Sequence, residues 1–218
     1  MSASELQAVG LDVSVRDHAL WQRTCKRGID ITGALSLLLL SAPILAIAIL
    51  LVRLSHGVPV FFGSNRLGLH GRPFRAWKLR TMRPDSDAWL EDHPELAVKF
   101  LQDVKLIDDP RVTPIGRWLR RLSIDELPQL INVLKGEMSL VGPRIMLPDE
   151  IDRWGSYGSI RLSVPQGLTG LWQIYGRGKP YEARMSLDRE YIENWSLGLD
   201  LWILIRTLPA VLSGRGAV

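Results

Sequence analysis

From Ile31 to Val52 the chain runs for 22 residues without one charged side chain: ITGALSLLLLSAPILAIAILLV. No other feature narrows the possible folds so much. As a helix this stretch is roughly 33 Å long, enough to cross the hydrocarbon core of a bilayer. A helix of a soluble protein keeps a polar face for water, and this one has none. The run therefore reads as a membrane segment. Its path is less constrained. Pro43, near the middle, lacks an amide hydrogen, clashes with the carbonyl of Leu39 and costs roughly 3 kcal/mol inside a helix. In lipid that carbonyl needs another donor, and the Ser41 hydroxyl is close in sequence. Arg23, Lys26 and Arg27 precede the run and Arg53 follows it. The preference of cationic residues for the cytoplasmic side then pulls both ends the same way. A helix broken at Pro43 that enters and leaves on one face satisfies that pull. A kinked but complete span is equally compatible with the residues. A cleaved signal peptide, suggested by the AIA of Ala46 to Ala48, is disfavoured because the apolar run begins late and is too long.

The 218 residues suit one domain plus such an anchor, and 46% apolar content is enough for a core. The organisation reads as a mobile segment over 1–22, an anchor over 23–55 and a cytoplasmic domain over 56–218. The net charge of +4 fits an anionic partner such as phosphate or a lipid headgroup without requiring one. With no nucleic-acid motif, it argues against a nucleic-acid binder. A single cysteine, Cys25, excludes an internal disulfide framework and fits a reducing compartment. Eight tryptophans are many for this length, and indoles favour membrane interfaces. Val58 to Phe62 reads as a strand, and PFRAWKLRTM as a second one with alternating Arg75, Lys78 and Arg80. Helix is expected from about Ser86 to Val104 with a break near Pro94, and again over RWLRRL. SLVGPR has strand character, and QGLTGLWQIYGRGKP reads as glycine-rich with short β-like pieces. The C-terminal NWSLGLDLWILIRTLPAVL fits either a helix in the membrane interface, with Trp195 and Trp202 at headgroup level, or a buried terminal helix.

SIDELPQLINVLKGEMSLVGPR, from Ser123 to Arg144, carries the chemistry. Ser123 and Glu126 have the S-x-x-E spacing of a helix capping box, with Asp125 merely favouring the positive helix end. The surroundings point elsewhere. Arg117, Arg120 and Arg121 lie just upstream, and Lys135 and Arg144 downstream. Two adjacent carboxylates among so many cations suit a site where phosphate and Mg²⁺ meet, since this hard cation takes one or two carboxylates plus substrate phosphate oxygens. A carboxylate can also attack phosphorus to give an acyl phosphate. A glycoside hydrolase is disfavoured, because its two carboxylates flank the bond about 5 Å or more apart.

The ordered motifs KRGIDITGAL, PVFFGSNRLG, FRAWKLRTM, DDPRVTPIGRWLRRLSIDELPQLINVLKGEMSLVGPR, GLTGLWQIYGR, LDREYI and NWSLGLDLWILIRTLPA resemble the bacterial sugar transferases, the small monotopic phosphoglycosyl transferases. The likeness spans about Lys26 to Ala210 and is greatest to undecaprenyl-phosphate galactose phosphotransferases that start exopolysaccharide repeat units. The resemblance implies an α-rich α/β fold: a re-entrant membrane helix broken at Ser41 and Pro43, interfacial amphipathic helices and a small cytoplasmic α/β core. It implies a bacterial inner-membrane enzyme that moves a sugar 1-phosphate from a UDP-sugar, galactose or glucose foremost, to undecaprenyl phosphate. UMP is released, and downstream glycosyltransferases become possible partners. It implies that Asp125 is the nucleophile and Glu126 its partner, with both as Mg²⁺ ligands. Arg120 and Arg144 become phosphate contacts, with Lys78 and Arg80 as further ones. Asp188 matches an acidic position of the family. Gly167, Thr169, Gly170 and Arg177 match its glycine-rich loop near the nucleotide.

Four departures stand against the family pattern. Ser-Pro at the break reads Ser41-Ala42-Pro43. Gln-x-Arg-x-Gly reads Ser64-Asn65-Arg66-Leu67-Gly68. Gly-Pro-Arg-Pro ends in Ile145. Arg-Pro-Gly reads Pro165-Gln166-Gly167, so its arginine contact is either lost or supplied by Arg161. These departures leave a rival reading: a non-catalytic, membrane-anchored relative that binds polyprenyl lipid or an assembly partner.

Overall fold

The computed structural model describes residues 19–96, 109–176 and 179–213. Helix α1, Leu20–His56, contains the whole apolar run. A β-hairpin follows, β1 Phe61–Leu67 and β2 Pro73–Leu79, with Phe62 opposite Lys78 and Arg66 opposite Phe74. Helix α2 is Ser86–Glu91 and α3 is Pro114–Arg121. A 3-10 turn, Ile124–Gln129, leads into α4, Leu130–Lys135. Strand β3, Ser139–Val141, pairs in parallel with β4, Gly167–Thr169, across a crossover that holds α5, Gly158–Arg161. Helices α6, Leu171–Tyr175, α7, Tyr181–Glu193, and α8, Leu197–Ser213, complete the fold. It is a helix-rich α/β fold with two two-stranded sheets among the described residues.

Helix α1 is built into the core along its length. Ala34 packs in the cluster that holds Leu130, Leu140 and Ile203. Ala48 and Val52 pack in a second cluster with Leu79 and Leu119. The opposite face stays apolar and exposed, with Leu39 at 76% and Leu40 at 77% of their free surface. It is one helix long and apolar enough to cross a membrane. Its basic flank does more than mark a side. Lys26 Nζ bonds Asp200 at 2.6 Å and the Val141 carbonyl at 2.9 Å. Arg27 donates to the carbonyls of Val133 and Leu134 at the end of α4, where a cation also suits the helix dipole.

Several expectations need correction. The helix continues through Pro43, so no gap in helical structure separates two halves. The Ser41 hydroxyl donates to Leu37 O at 2.6 Å and not to Leu39 O, two residues short of the predicted rescue. The first helix begins at Leu20, inside the segment read as mobile; residues 1–18 lie outside the described residues. Strand β1 starts at Phe61, three residues later than the apolar run suggested. LWQIY is helical because Gly170 starts a turn there and its residues pack inward at Leu171 and Gln173. The helix expected to reach Val104 ends its first part at Glu91, and most of the remainder lies outside the described residues. In α8, Asp200 and Ile203 are buried while Ile205, Leu208 and Leu212 are exposed. Trp195 is buried, its Nε1 donating to Asp200, so it does not stand at an outer surface.

Thr81, just after β2, fixes α3 above the hairpin. Its carbonyl accepts from Thr113 N at 3.1 Å and Thr113 Oγ1 at 3.2 Å, and Thr113 Oγ1 caps α3 by accepting from Gly116 N at 3.0 Å. A Cβ added at Gly116 would collide with the Thr81 carbonyl, which is backbone and cannot step aside. Gly116→Ala is therefore expected to separate α3 from the hairpin and to lower the melting temperature by several degrees, as roughly 1–3 kcal/mol of overpacking does in a chain of this size. Thermal unfolding of the variant checks this.

Candidate active site

Asp125 and Glu126 stand in the 3-10 turn between α3 and α4. The chain enters it through Ser123, whose φ of 55° lies in the left-handed region and reverses direction after Leu122. Ser123 makes no side-chain cap hydrogen bond, so the capping-box spacing is not used as one. Glu126 instead bonds Lys78 Nζ at 2.5 Å across from β2, a pair about a quarter exposed, 26% and 25%. Asp125 keeps only 6% of its surface. Burial pushes its carboxyl up to about 6; Lys78 and Arg120 pull it down and Glu126 pushes it further up. Arg120 donates from Nε to Thr81 Oγ1 at 2.9 Å, and burial lowers its pKa against the pull of Asp125.

A cavity opens beside the pair, lined by Glu126, Lys78, Arg66, Gln129, Arg144 and Trp172. It is poor in acceptors and rich in donors. Arg66 Nε and Nη1, Gln129 Nε2 and Trp172 Nε1 are buried there without a hydrogen-bond partner. Burial, with Arg144 next in size, lowers Arg66 to about 10. Unpaired buried donors of this kind cost free energy unless an anion fills them. Cations and neutral N–H groups around one carboxylate form a site shaped for phosphate oxygens.

Arg144 is held from behind. Its backbone N–H donates to both oxygens of Asp188 at 3.2 Å, and its carbonyl accepts from Arg161 Nη2. Arg161 also bonds Asp188 and the side chain of Gln166. The alternative in which Arg161 supplies a phosphate contact is thus replaced by a brace: Arg161 is 2% exposed and its guanidinium grips protein groups, and Gln166, itself a departure from the family pattern, is one of them. Burial pushes Asp188 up to about 6 despite Arg161.

Among the other sequence candidates, Arg80 lies at the end of β2 with a buried, unpartnered Nη1. Gly167 lines the cavity, and its N–H donates to Pro143 O at 2.7 Å, where a Cβ would strike Gly142. The Thr169 hydroxyl is engaged with Thr207 of α8 at 2.7 Å. Gly170 packs on the Gly142 carbonyl. Arg177 lies outside the described residues. Sequence reasoning gave no role to Arg66, Gln129, Trp172 or Arg184. Arg66 is discoverable from the strand period, which sets it on one face with Phe62 and Ser64, and Arg184 from its place four residues before Asp188 on α7.

Two carboxylates are available to a metal ion here, one of them already paired with Lys78. No group of three or more His, Cys, Asp or Glu side chains is gathered among the described residues. Asp125 and Glu126 fit Mg²⁺, which needs few protein ligands when phosphate and water complete its shell.

The profile of the bacterial sugar transferases matches residues 21–214. The chain is 43% identical over 197 residues to the exopolysaccharide production protein ExoY of Rhizobium meliloti, covering 88% of this chain and 87% of that one. It is 42% identical over 202 residues to a UDP-glucose:undecaprenyl-phosphate glucose-1-phosphate transferase of Caulobacter vibrioides, covering 88% of this chain and 71% of that one. To an undecaprenyl-phosphate galactose phosphotransferase of Salmonella typhimurium it is 39% identical over 200 residues, 89% of this chain and 42% of that one. The chain belongs to the bacterial sugar transferase family and is a transferase.

Proposed function

We propose that the protein transfers a sugar 1-phosphate from a UDP-sugar to undecaprenyl phosphate and so starts a polysaccharide repeat unit. The observation that carries this reading is the buried Asp125 beside the Lys78–Glu126 pair at a cavity of unpaired N–H donors. The names of the Caulobacter and Salmonella relatives describe the same reaction class.

In the first half-reaction the Asp125 carboxylate attacks the β-phosphorus. The bond to the bridging oxygen breaks, and UMP leaves with the electron pair. The sugar phosphate is then held on Asp125 as an acyl phosphate. In the second, an oxygen of undecaprenyl phosphate attacks the same phosphorus, the bond to Asp125 breaks and the carboxylate is restored. Lys78, Arg66, Arg120 and Arg144 offset negative charge on the phosphoryl oxygens. Asp125 and Glu126 would be the residues to hold a Mg²⁺ ion, which would supply Lewis-acid neutralisation of that charge. Galactose and glucose are the proposed sugars.

The reading includes a membrane path. Both halves of α1 pack on the folded domain, Ala34 in one apolar cluster and Ala48 and Val52 in a second. Both therefore stay on the side of the catalytic residues, and the exposed leucines of α1 together with Ile205, Leu208 and Leu212 of α8 face lipid. This supports a monotopic anchor on the cytoplasmic face of the inner membrane. With detergent-solubilised protein, undecaprenyl phosphate and Mg²⁺, UMP release from UDP-galactose or UDP-glucose is the expected result. Absence of release across a panel of UDP-sugars would return the chain to the non-catalytic reading.

A further inference from the structure

Two cavities meet at Arg144. The first is the one beside Glu126 and Lys78. The second shares Arg144 and Ile145 with it and is lined by Glu150, Trp154, Tyr181, Arg184 and Asp188. Neither half of the acidic pair reaches this second cavity, so it is a separate compartment one residue removed from the chemistry.

Arg184 has no carboxylate partner in contact among the described residues. Its Nε is buried and unbonded. The two nearby carboxylates are engaged elsewhere. Glu150 accepts from Leu147 N at 2.6 Å, and Asp188 accepts from Arg144 N and Arg161. The guanidinium of Arg184 lies 5.6 Å over the Tyr181 ring. Burial, and after it Arg144, lowers its pKa. Two guanidinium groups that repel each other at a shared wall, one with an unfilled donor, match a doubly charged phosphate between them.

In-line phosphoryl transfer calls for a phosphate site on the far side of the reacting phosphorus from Asp125. Asp125 attacks the phosphorus from one side and the leaving group departs from the other. In the return step the entering group approaches opposite Asp125, through the space the leaving group vacated. We infer that Arg184, with Arg144, holds the phosphate monoester that stands opposite Asp125: that of UMP as it leaves, then that of the lipid acceptor as it enters. This rests on the reaction proposed above.

Binding to the full-length protein in detergent tests it by calorimetry with UMP, uridine and a short-chain polyprenyl phosphate. Arg184→Gln is expected to weaken UMP and the polyprenyl phosphate each by about tenfold or more, the range for a lost hydrogen bond to a charged group. Any binding of uridine stays unchanged. Arg184→Lys, which keeps the charge but not the fork, falls between, and it carries the test if the glutamine variant fails to fold. Unchanged affinity for both phosphates overturns the site. Weakening of UMP alone overturns its shared use, and an equal loss for uridine overturns the phosphate assignment. If the wild type binds neither phosphate, the proposed reaction itself falls and this inference with it.

Discussion

Asp125→Asn is expected to abolish UMP release, by at least ~10³-fold, while the protein stays folded. The two halves of this expectation come from one fact. Asp125 is 6% exposed, and burial pushes its carboxyl up to about 6. A raised pKa means that the folded state holds this proton more tightly than the unfolded chain does. The ionised form needed for attack is therefore held at a cost to stability at neutral pH, and that cost is lost as pH falls through about 6 toward the ordinary aspartate value of 3.8. The uncharged amide removes the cost, so the variant is expected to melt no lower than wild type at pH 7.5, and a few degrees higher if nothing else moves. Activity runs the opposite way with pH. Below about 6 Asp125 takes up its proton and ceases to be an anionic nucleophile. Asp188, also near 6, titrates with it. Two groups titrating together make the acid limb of a UMP-release profile steeper than tenfold per pH unit. Measured UMP release and melting curves check both. An inactive variant that is also much less stable would mean that Asp125 matters for the fold. An active, stable variant would sink the covalent mechanism.

How far the sequence reached depended on the range of the forces involved. The apolar run from Ile31 to Val52 was legible because membrane insertion depends on local composition, and it appears as one helix. The second strand was legible from its period-two alternation, with Lys78 on the face that meets Glu126, but the first was not: it runs on to Leu67 through residues read as a turn after Phe62. What the period could not disclose was tertiary use. Lys26 reads as a topological charge, yet it is buried against Asp200, 174 residues away. Trp195 reads as an interfacial indole, yet its N–H meets the same aspartate. Ser123 and Glu126 have a capping spacing, but a left-handed residue and a distant lysine redirected them. The acidic pair was found by its cationic context. Arg66, Gln129 and Trp172 were not, because what distinguishes them is the lack of a partner after burial, and unsatisfied donors have no sequence pattern.

Asp188→Ala is expected to cost roughly 3–5 kcal/mol of stability, about 10 °C or more in melting temperature, and most of the activity with it. Arg161 is buried, with 2% of its surface exposed. Burial outweighs the attraction of Arg161 for Asp188, as the raised carboxyl shows, so the pair as a whole stabilises the fold little. Removing one member is a different matter, because it strands a buried charge. The double variant Arg161→Met with Asp188→Leu separates stability from placement. It removes both charges and keeps their volume, so the melting temperature is expected to return most of the way. Activity is not, because the Arg144 amide loses both oxygens it donates to and the Arg144 carbonyl loses its donor. A double variant that regains both properties would show that the pair is packing alone. One that regains stability and stays slow would show that the buried aspartate and arginine hold Arg144, a wall of both cavities, where phosphate has to be met.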